Sequence, residues 1–299
     1  MNKCFLCKKN NHLSKVRNGG YICNDCYWNC TSRFIKCDQC NIVIDMDDDY
    51  IVYCEKTDND VCEDCYKNIM NIHSHHYEPK IKFYHKENEH RWRHPHIGIE
   101  LELITEDKSN FLNKYMDNFD DFYFKYDGSL GNKGIEIVSM PMTSKVIAKH
   151  WKPMFNLINQ YKFKANHSCG LHFHVDREYL DIDTIKNIDY IINNNHDYFS
   201  KIGGRNFENN KYCLLSNKNN NCWGINIHGK YCAVNLMKKN TVELRFCAST
   251  SDYDKFIDRL KTIYATIQYC KYHTFNYITT VKKDFMIKEI KMLKRKLDI

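Results

Sequence analysis

Four short runs of this chain alternate apolar residues with ionisable ones. They are Ile97-Gly98-Ile99-Glu100-Leu101-Glu102-Leu103, Gly134-Ile135-Glu136-Ile137-Val138, Gly170-Leu171-His172-Phe173-His174-Val175 and Val242-Glu243-Leu244-Arg245-Phe246. A period of two is the pattern of a β-strand, whose side chains alternate between faces. Leu101, Ile135, Phe173 and Leu244 are therefore predicted on one face, and Glu100, Glu102, Glu136, His172, His174, Glu243 and Arg245 on the other. Carboxylates, imidazoles and a guanidinium in such number are too costly to bury unpaired. They make sense lining a cleft that holds divalent metal ions and a polyanion.

The same reading places strands near 121–126, 133–139, 169–176, 230–236 and 241–247. Helices are predicted at about 108–118, 143–162, 182–201, 252–275 and 283–297. Phe256, Ile257, Leu260, Ile263, Tyr264 and Ile267 recur at helical spacing and are expected to pack on the apolar back of the sheet. Gly203-Gly204 and the Asn-rich stretch 217–221 read as loops. Strands with few tight hairpins, interleaved with long helices, predict an α+β domain, a sheet with helices on one face and a cleft on the other.

Cysteine usage changes the picture at the N-terminus. Most of the 16 cysteines crowd residues 4–65, in Cys-x2-Cys pairs. Cys4/Cys7 and Cys23/Cys26 form one set, and Cys37/Cys40 and Cys62/Cys65 a second. Two chelating thiolate pairs per set suit tetrahedral Zn2+, so about two structural zinc ions are expected. Cross-braced pairing would use the same cysteines differently. Cys30, Cys54, His73, His75 and His76 are candidates for a third site, but Cys54 stands alone where a pair is needed. A buried thiol and exposed histidines are the plainer reading. The expected organisation is a zinc module at 1–34, a second, loosely ZZ-like, at 35–80, a linker at 81–96 and a catalytic domain at 97–299.

The net charge of +7 lies downstream of the cysteine modules, since residues 1–96 balance acid against base. Nucleic-acid binding by those modules is not favoured; recruiting a protein or peptide, or a purely structural role, fits better. The Lys-rich segment 282–296 reads as a solvated helix face, with Ile287, Ile290, Leu293 and Leu297 as its docking stripe. No apolar stretch reaches membrane-spanning length, and reduced CxxC pairs fit a cytoplasmic protein.

The order of the motifs carries a resemblance. Gly98-Ile99-Glu100-Leu101-Glu102 is followed by Tyr126-Asp127-Gly128-Ser129 and Gly134-Ile135-Glu136-Ile137-Val138-Ser139-Met140-Pro141. Then come Ser168-Cys169-Gly170-Leu171-His172-Phe173-His174-Val175-Asp176, Tyr231-Cys232-Ala233-Val234-Asn235-Leu236 and Thr241-Val242-Glu243-Leu244-Arg245-Phe246. Over roughly 97–275 this succession resembles the amidoligase family, carboxylate–amine ligases of the glutamine synthetase-like superfamily. The resemblance implies a curved antiparallel sheet whose concave face binds ATP with Mg2+ or Mn2+. Phosphoryl transfer to a carboxylate and attack by an amine would then form an amide, peptide or isopeptide bond.

By the same resemblance, Glu100, Glu102, Glu136 and Glu243 supply oxygen ligands, with His172 or His174 as the one nitrogen ligand. Arg245 would stabilise charge on the transferring phosphoryl group. Asn235 would lie near nucleotide or metal, and Asp127 would bind or deprotonate the amine. Two other functions compete: a metal-dependent hydrolase built on His172-x-His174, and a zinc-finger adaptor with a non-catalytic ligase-like domain.

Overall fold

The computed structural model describes residues 2–17, 19–54, 57–70, 72–73, 77–115, 119–131, 133–207, 210–215 and 229–299. The Asn-rich stretch 217–221, His75 and His76 lie outside them. The chain forms two compact units, Met1–Tyr77 with Leu112–Met116, and Glu78–Phe111 with Asp117–Ile299.

In the first unit, β1 (Leu13–Lys15) and β2 (Tyr21–Cys23) form a ribbon followed by helix α1 (Asn24–Asn29). Strands β3 (Phe34–Lys36) and β4 (Val43–Asp45) pair next, then β5 (Ile51–Cys54) with β6 (Asn59–Cys62), and α2 (Glu63–Met70) follows. These ribbons are too short to bury much by themselves. Cys4, Val16, Ile22, Cys23, Phe34 and Val43 make one small core, and Cys37, Ile44, Cys54, Val61 and Cys62 another. The two modules are clasped together. Val16 bridges to Val43, Arg17 reaches Asp49 at 2.8 Å and Asp64 at 3.0 Å, and Arg33 grips Asp45 through two hydrogen bonds of 2.9 and 2.8 Å.

The second unit is an α+β domain. Its elements are β7 (Ile97–Ile104), the start of α3 (Lys108–Tyr115, whose residues from Leu112 on group with the first unit), β8 (Phe122–Lys125), β9 (Gly134–Ser139), α4 (Ser144–Gln160), β10 (Gly170–Asp176), α5 (Ile182–Asn194) and α6 (His196–Gly203). They continue with β11 (Val234–Asn235), β12 (Thr241–Ala248), α7 (Tyr253–Tyr272), α8 (Phe275–Thr280) and α9 (Lys283–Lys296). The six strands pair antiparallel throughout, in the order β11-β12-β10-β7-β9-β8.

Register explains the alternation in the sequence. Leu101 pairs with Ile137 and Leu171, Ile99 with Phe173, Phe173 with Leu244 and Leu103 with Ile135, giving one continuous apolar face. Helices α4 and α7 cover it: Trp151 packs against Phe122 and Phe256 at ring distances of 5.0 and 5.1 Å, and Leu260, Ile263 and Ile267 are buried.

Three expectations change. The helix expected over 182–201 breaks at Asn195. Asn193, Asn194 and Asn195 each donate a side-chain amide to the carbonyl four residues back, which competes with the helical backbone. Gly203-Gly204 is a helix end and not a loop, with Gly204 in the left-handed conformation at φ 75°. The stretch 81–96, read as a linker, is tied into the domain: Tyr84 exchanges backbone hydrogen bonds with Pro141 and Thr143, and Arg91 makes a two-pronged ion pair with Asp176 at 2.8 and 3.1 Å. On α9, Met286 and Ile290 are the buried contacts, while Ile287, Leu293 and Leu297 are half-buried. Among the described residues, no helix is long and apolar enough to cross a membrane.

Candidate active site

The polar face is assembled by pairing across strands. Glu100 on β7 stands opposite His172 on β10, Glu102 opposite Glu136 on β9, and His174 opposite Glu243 on β12. Asn235 on β11 stands opposite Glu243, and Lys125 on β8 opposite Glu136. One irregularity tunes this row. Between Leu171 and Phe173 the register with β12 shifts, so Arg245 and Phe246 together oppose His172. The bulge keeps Arg245 beside Glu243 and returns Cys247 to the apolar face opposite Leu171.

The side chains converge closely. His174 Nε2 lies 3.2 Å from Glu100 Oε2, and His172 Nδ1 lies 3.5, 3.9 and 3.8 Å from Glu100, Glu102 and Glu243. Glu102 Oε2 accepts from the Gly170 N–H at 2.5 Å. Lys125 Nζ sits 3.3 Å from Glu136 and 4.0 Å from Glu100. Glu243 is fixed on both oxygens, by Arg245 Nη1 and by Asn235 Nδ2 at 2.6 Å. The face is deep: Glu102, Glu136, His172 and Glu243 are buried, and Glu100, His174 and Lys125 keep 18, 14 and 12% side-chain exposure, marking the open end.

Electrostatics divide the carboxyls. Burial pushes Glu100 up, but the charge of His174 and hydrogen bonds from both histidines outweigh it and hold the group well below the usual range. Glu243 is likewise held low against its burial by His174, His172 and Arg245. Glu136 goes the other way: burial and the neighbouring Glu100 charge push it well above the usual range despite Lys125. Burial lowers His174, but Glu100 and Glu243 carry it above an ordinary imidazole.

Glu100, His172 and Glu243 each offer a donor atom, all within 4.8 Å of one another. Two carboxylates and one imidazole suit Mg2+ or Mn2+, and His174 Nε2 stands beside them, 3.2 Å from Glu100. The donor set therefore fits a hard dication. Asp127 is placed apart from this group. It caps the short turn Gly128–Leu130 by accepting from the Ser129 N–H at 2.8 Å, and it supports the charge of Lys125.

Residues 82–230 match the family described as "Putative amidoligase enzyme". This segment is an amidoligase-family domain. No curated protein matches the chain. The amidoligase-family match spans Glu100, Glu102, Lys125, Asp127, Glu136, His172 and His174, whereas Asn235, Glu243 and Arg245 lie beyond it on strands that complete the same sheet. Sequence reasoning missed Lys125, although the alternation Phe122-Tyr123-Phe124-Lys125 puts it on the polar face of β8. It also missed Arg205, whose one signal is its position after a Gly-Gly helix end.

The cysteine clusters fit zinc on their own geometry. Cys4, Cys7, Cys23 and Cys26 hold their sulfurs within 4.8 Å of one another, as do Cys37, Cys40, Cys62 and Cys65. The Cys7–Cys23 and Cys40–Cys62 sulfur separations are 3.5 and 3.9 Å, against about 3.8 Å for a tetrahedron with Zn–S near 2.3 Å. Burial opposes ionisation of Cys4 and Cys37, but backbone N–H groups bring them down to about 6 and about 7. Cys26 is pushed up by its hydrogen bond to Cys7, and Cys65 by burial and its bond to Cys62. One thiolate per cluster is thus prepared, and a dication is what allows the rest to ionise. Of the third-site candidates, Cys54 is buried in the second small core, Cys30 packs on the first, and His73 stacks on Tyr77 at 3.5 Å.

Proposed function

We propose that this protein is an ATP-dependent carboxylate–amine ligase acting through an acyl phosphate, on a sheet of the glutamine synthetase-like kind. The observation that carries this reading is the single polar face, on an amidoligase-family domain, where Glu100, His172 and Glu243 converge. Mg2+ or Mn2+ held there by Glu100, His172 and Glu243 would supply neutralisation of the charge on nucleotide phosphates, the chemistry hard dications provide in phosphoryl transfer. Glu100 and Glu243 stay ionised as ligands, while Asn235 and Arg245 hold Glu243 in place. The pKa of Glu136 is raised by burial and by Glu100, and the group sits beside Lys125, which suits it to exchange a proton with the incoming amine. Asp127, at the outer end of β8, is our candidate for drawing in that amine. The zinc modules would recruit a protein or peptide substrate to this unit in the cytoplasm.

The test is to incubate zinc-loaded protein with Mg2+, ATP and a panel of amines and carboxylates, following ADP release and amide formation together. Coupled ADP and amide, lost in Glu100→Gln, supports the ligase. Hydrolysis of an ester or amide without nucleotide would sink it in favour of a metal-dependent hydrolase.

A further inference from the structure

The two arginines at the β12 end of the site are in unlike circumstances. Arg245 is already neutralised: Nη1 meets Glu243 and Nε donates to the Tyr212 carbonyl at 3.3 Å. Arg205 is 5% exposed and forms no ion pair among the described residues. Its Nη1 donates to the Arg245 carbonyl at 3.1 Å, and its Nε is buried with no hydrogen-bond partner. Glu102 is the nearby carboxylate that supports the Arg205 charge, and a buried guanidinium with no ion pair of its own is unfavourable unless a further anion joins it. Burial accordingly pulls Arg205 below the ordinary guanidinium range.

The chain is built to bring Arg205 there. Gly203 lets the end of α6 touch β12, since a Cβ would collide with the Phe246 carbonyl. Gly204 then turns left-handed, and Ser200 Oγ holds the Arg205 carbonyl at 2.6 Å. On the strand side, Gly170 makes the space. A Cβ there would strike His172 Nε2 and come within 2.8 Å of Arg205 Nη2. His172 thus faces the carboxylates through Nδ1 and Arg205's side through Nε2. A cation held at Nδ1 leaves the proton on Nε2, which then serves as a second donor beside the guanidinium.

We propose that Arg205, and not Arg245, is the anion anchor of this site, receiving a phosphoryl or carboxylate oxygen of the substrate beside Gly170 and His172. Which anion arrives rests on the ligase reading; the anchor itself rests on the geometry of Arg205. Arg245 is then a positioning residue, acting through Glu243.

The intact, zinc-loaded protein should be titrated with inorganic phosphate and, separately, with glutarate, following heat of binding and thermal unfolding. Either anion should bind and raise Tm, and the one that does so more strongly identifies the phosphoryl or the carboxylate group as the natural occupant. Added Mn2+ should tighten that binding. Arg205→Met should weaken it about tenfold or more and abolish the Tm rise, while its Tm in anion-free buffer equals or exceeds that of the parent, because a buried charge with no ion pair of its own has been removed. Arg205→Lys, which keeps the charge but loses the fork, should bind a few-fold more weakly with Tm held. A wild type that binds neither anion overturns the proposal. So does an unchanged anion response in Arg205→Met, or a large Tm loss in both variants without anion. Should amide formation fail while the Arg205-dependent response persists, the ligase reading falls and the anchor stands.

Discussion

Cys4, Cys7, Cys23 and Cys26 lie on one short stretch of chain, whereas Glu100, His172 and Glu243 come from three strands far apart in sequence. Both sets gather donor atoms within 4.8 Å. The cysteine clusters sit on ribbons of three or four residues, with cores too small to hold them. A zinc ion bound there would be part of the folding energy. The carboxylate face sits on a six-stranded sheet backed by Trp151, Phe155 and Phe256, and that packing sets the donors before any ion arrives. One set of donors would need its metal to fold; the other is set by packing alone.

The comparison can be broken most decisively by stripping zinc. Chelation should unfold the N-terminal unit, with protease cleavage confined to residues 1–77, while the sheet unit keeps its secondary structure. Cys23→Ser and Cys62→Ser should each lower the zinc content, and the Arg17 and Arg33 clasps should pass the damage between modules. A zinc-free chain with full protection of 1–77 would contradict this.

Next in size is the pair Glu243–Arg245. Both are buried, so Arg245→Ala removes the guanidinium from a buried carboxylate, leaving it to the histidines and Asn235, and should cost about 3 kcal/mol in the sheet unit. Denaturant unfolding checks it, and a loss under 1 kcal/mol would show the pair to be incidental. Glu100 tests the opposite property. It is the most exposed of the carboxylates, so Glu100→Gln should leave stability within about 1 kcal/mol yet weaken Mn2+ binding about tenfold or more. Equal Mn2+ affinity in variant and parent would place the metal elsewhere.

The smallest effect should come from Asp181, the N-cap of α5. Burial raises this group, but Lys271 and Thr184 bring it down to about 2. Its folded value lies below its unfolded one, so its contribution is complete above about pH 4 and is lost as pH falls towards 2. Asp181→Ala should cost about 1 kcal/mol at neutral pH and only a small part of that at pH 2, read from parallel urea curves. A constant difference across that range would remove the linkage.

Much was legible before any coordinates. Chelating cysteine pairs are local, so their spacing alone announced both four-sulfur clusters. Strand periodicity is also local, so the division of Leu101, Ile135, Phe173 and Leu244 from the ionisable residues could be read directly. The order of motifs announced the amidoligase-family domain. What the sequence could not decide was partnership across strands and turns. That Arg245 is committed to Glu243, that Lys125 stands over Glu136, that three asparagines break a helix at 195, and that Arg205 meets Gly170 all depend on register, on the β12 bulge and on the end of α6. Those are contacts between distant segments, and their geometry is set by the packing of the whole sheet, which no window of neighbouring residues contains.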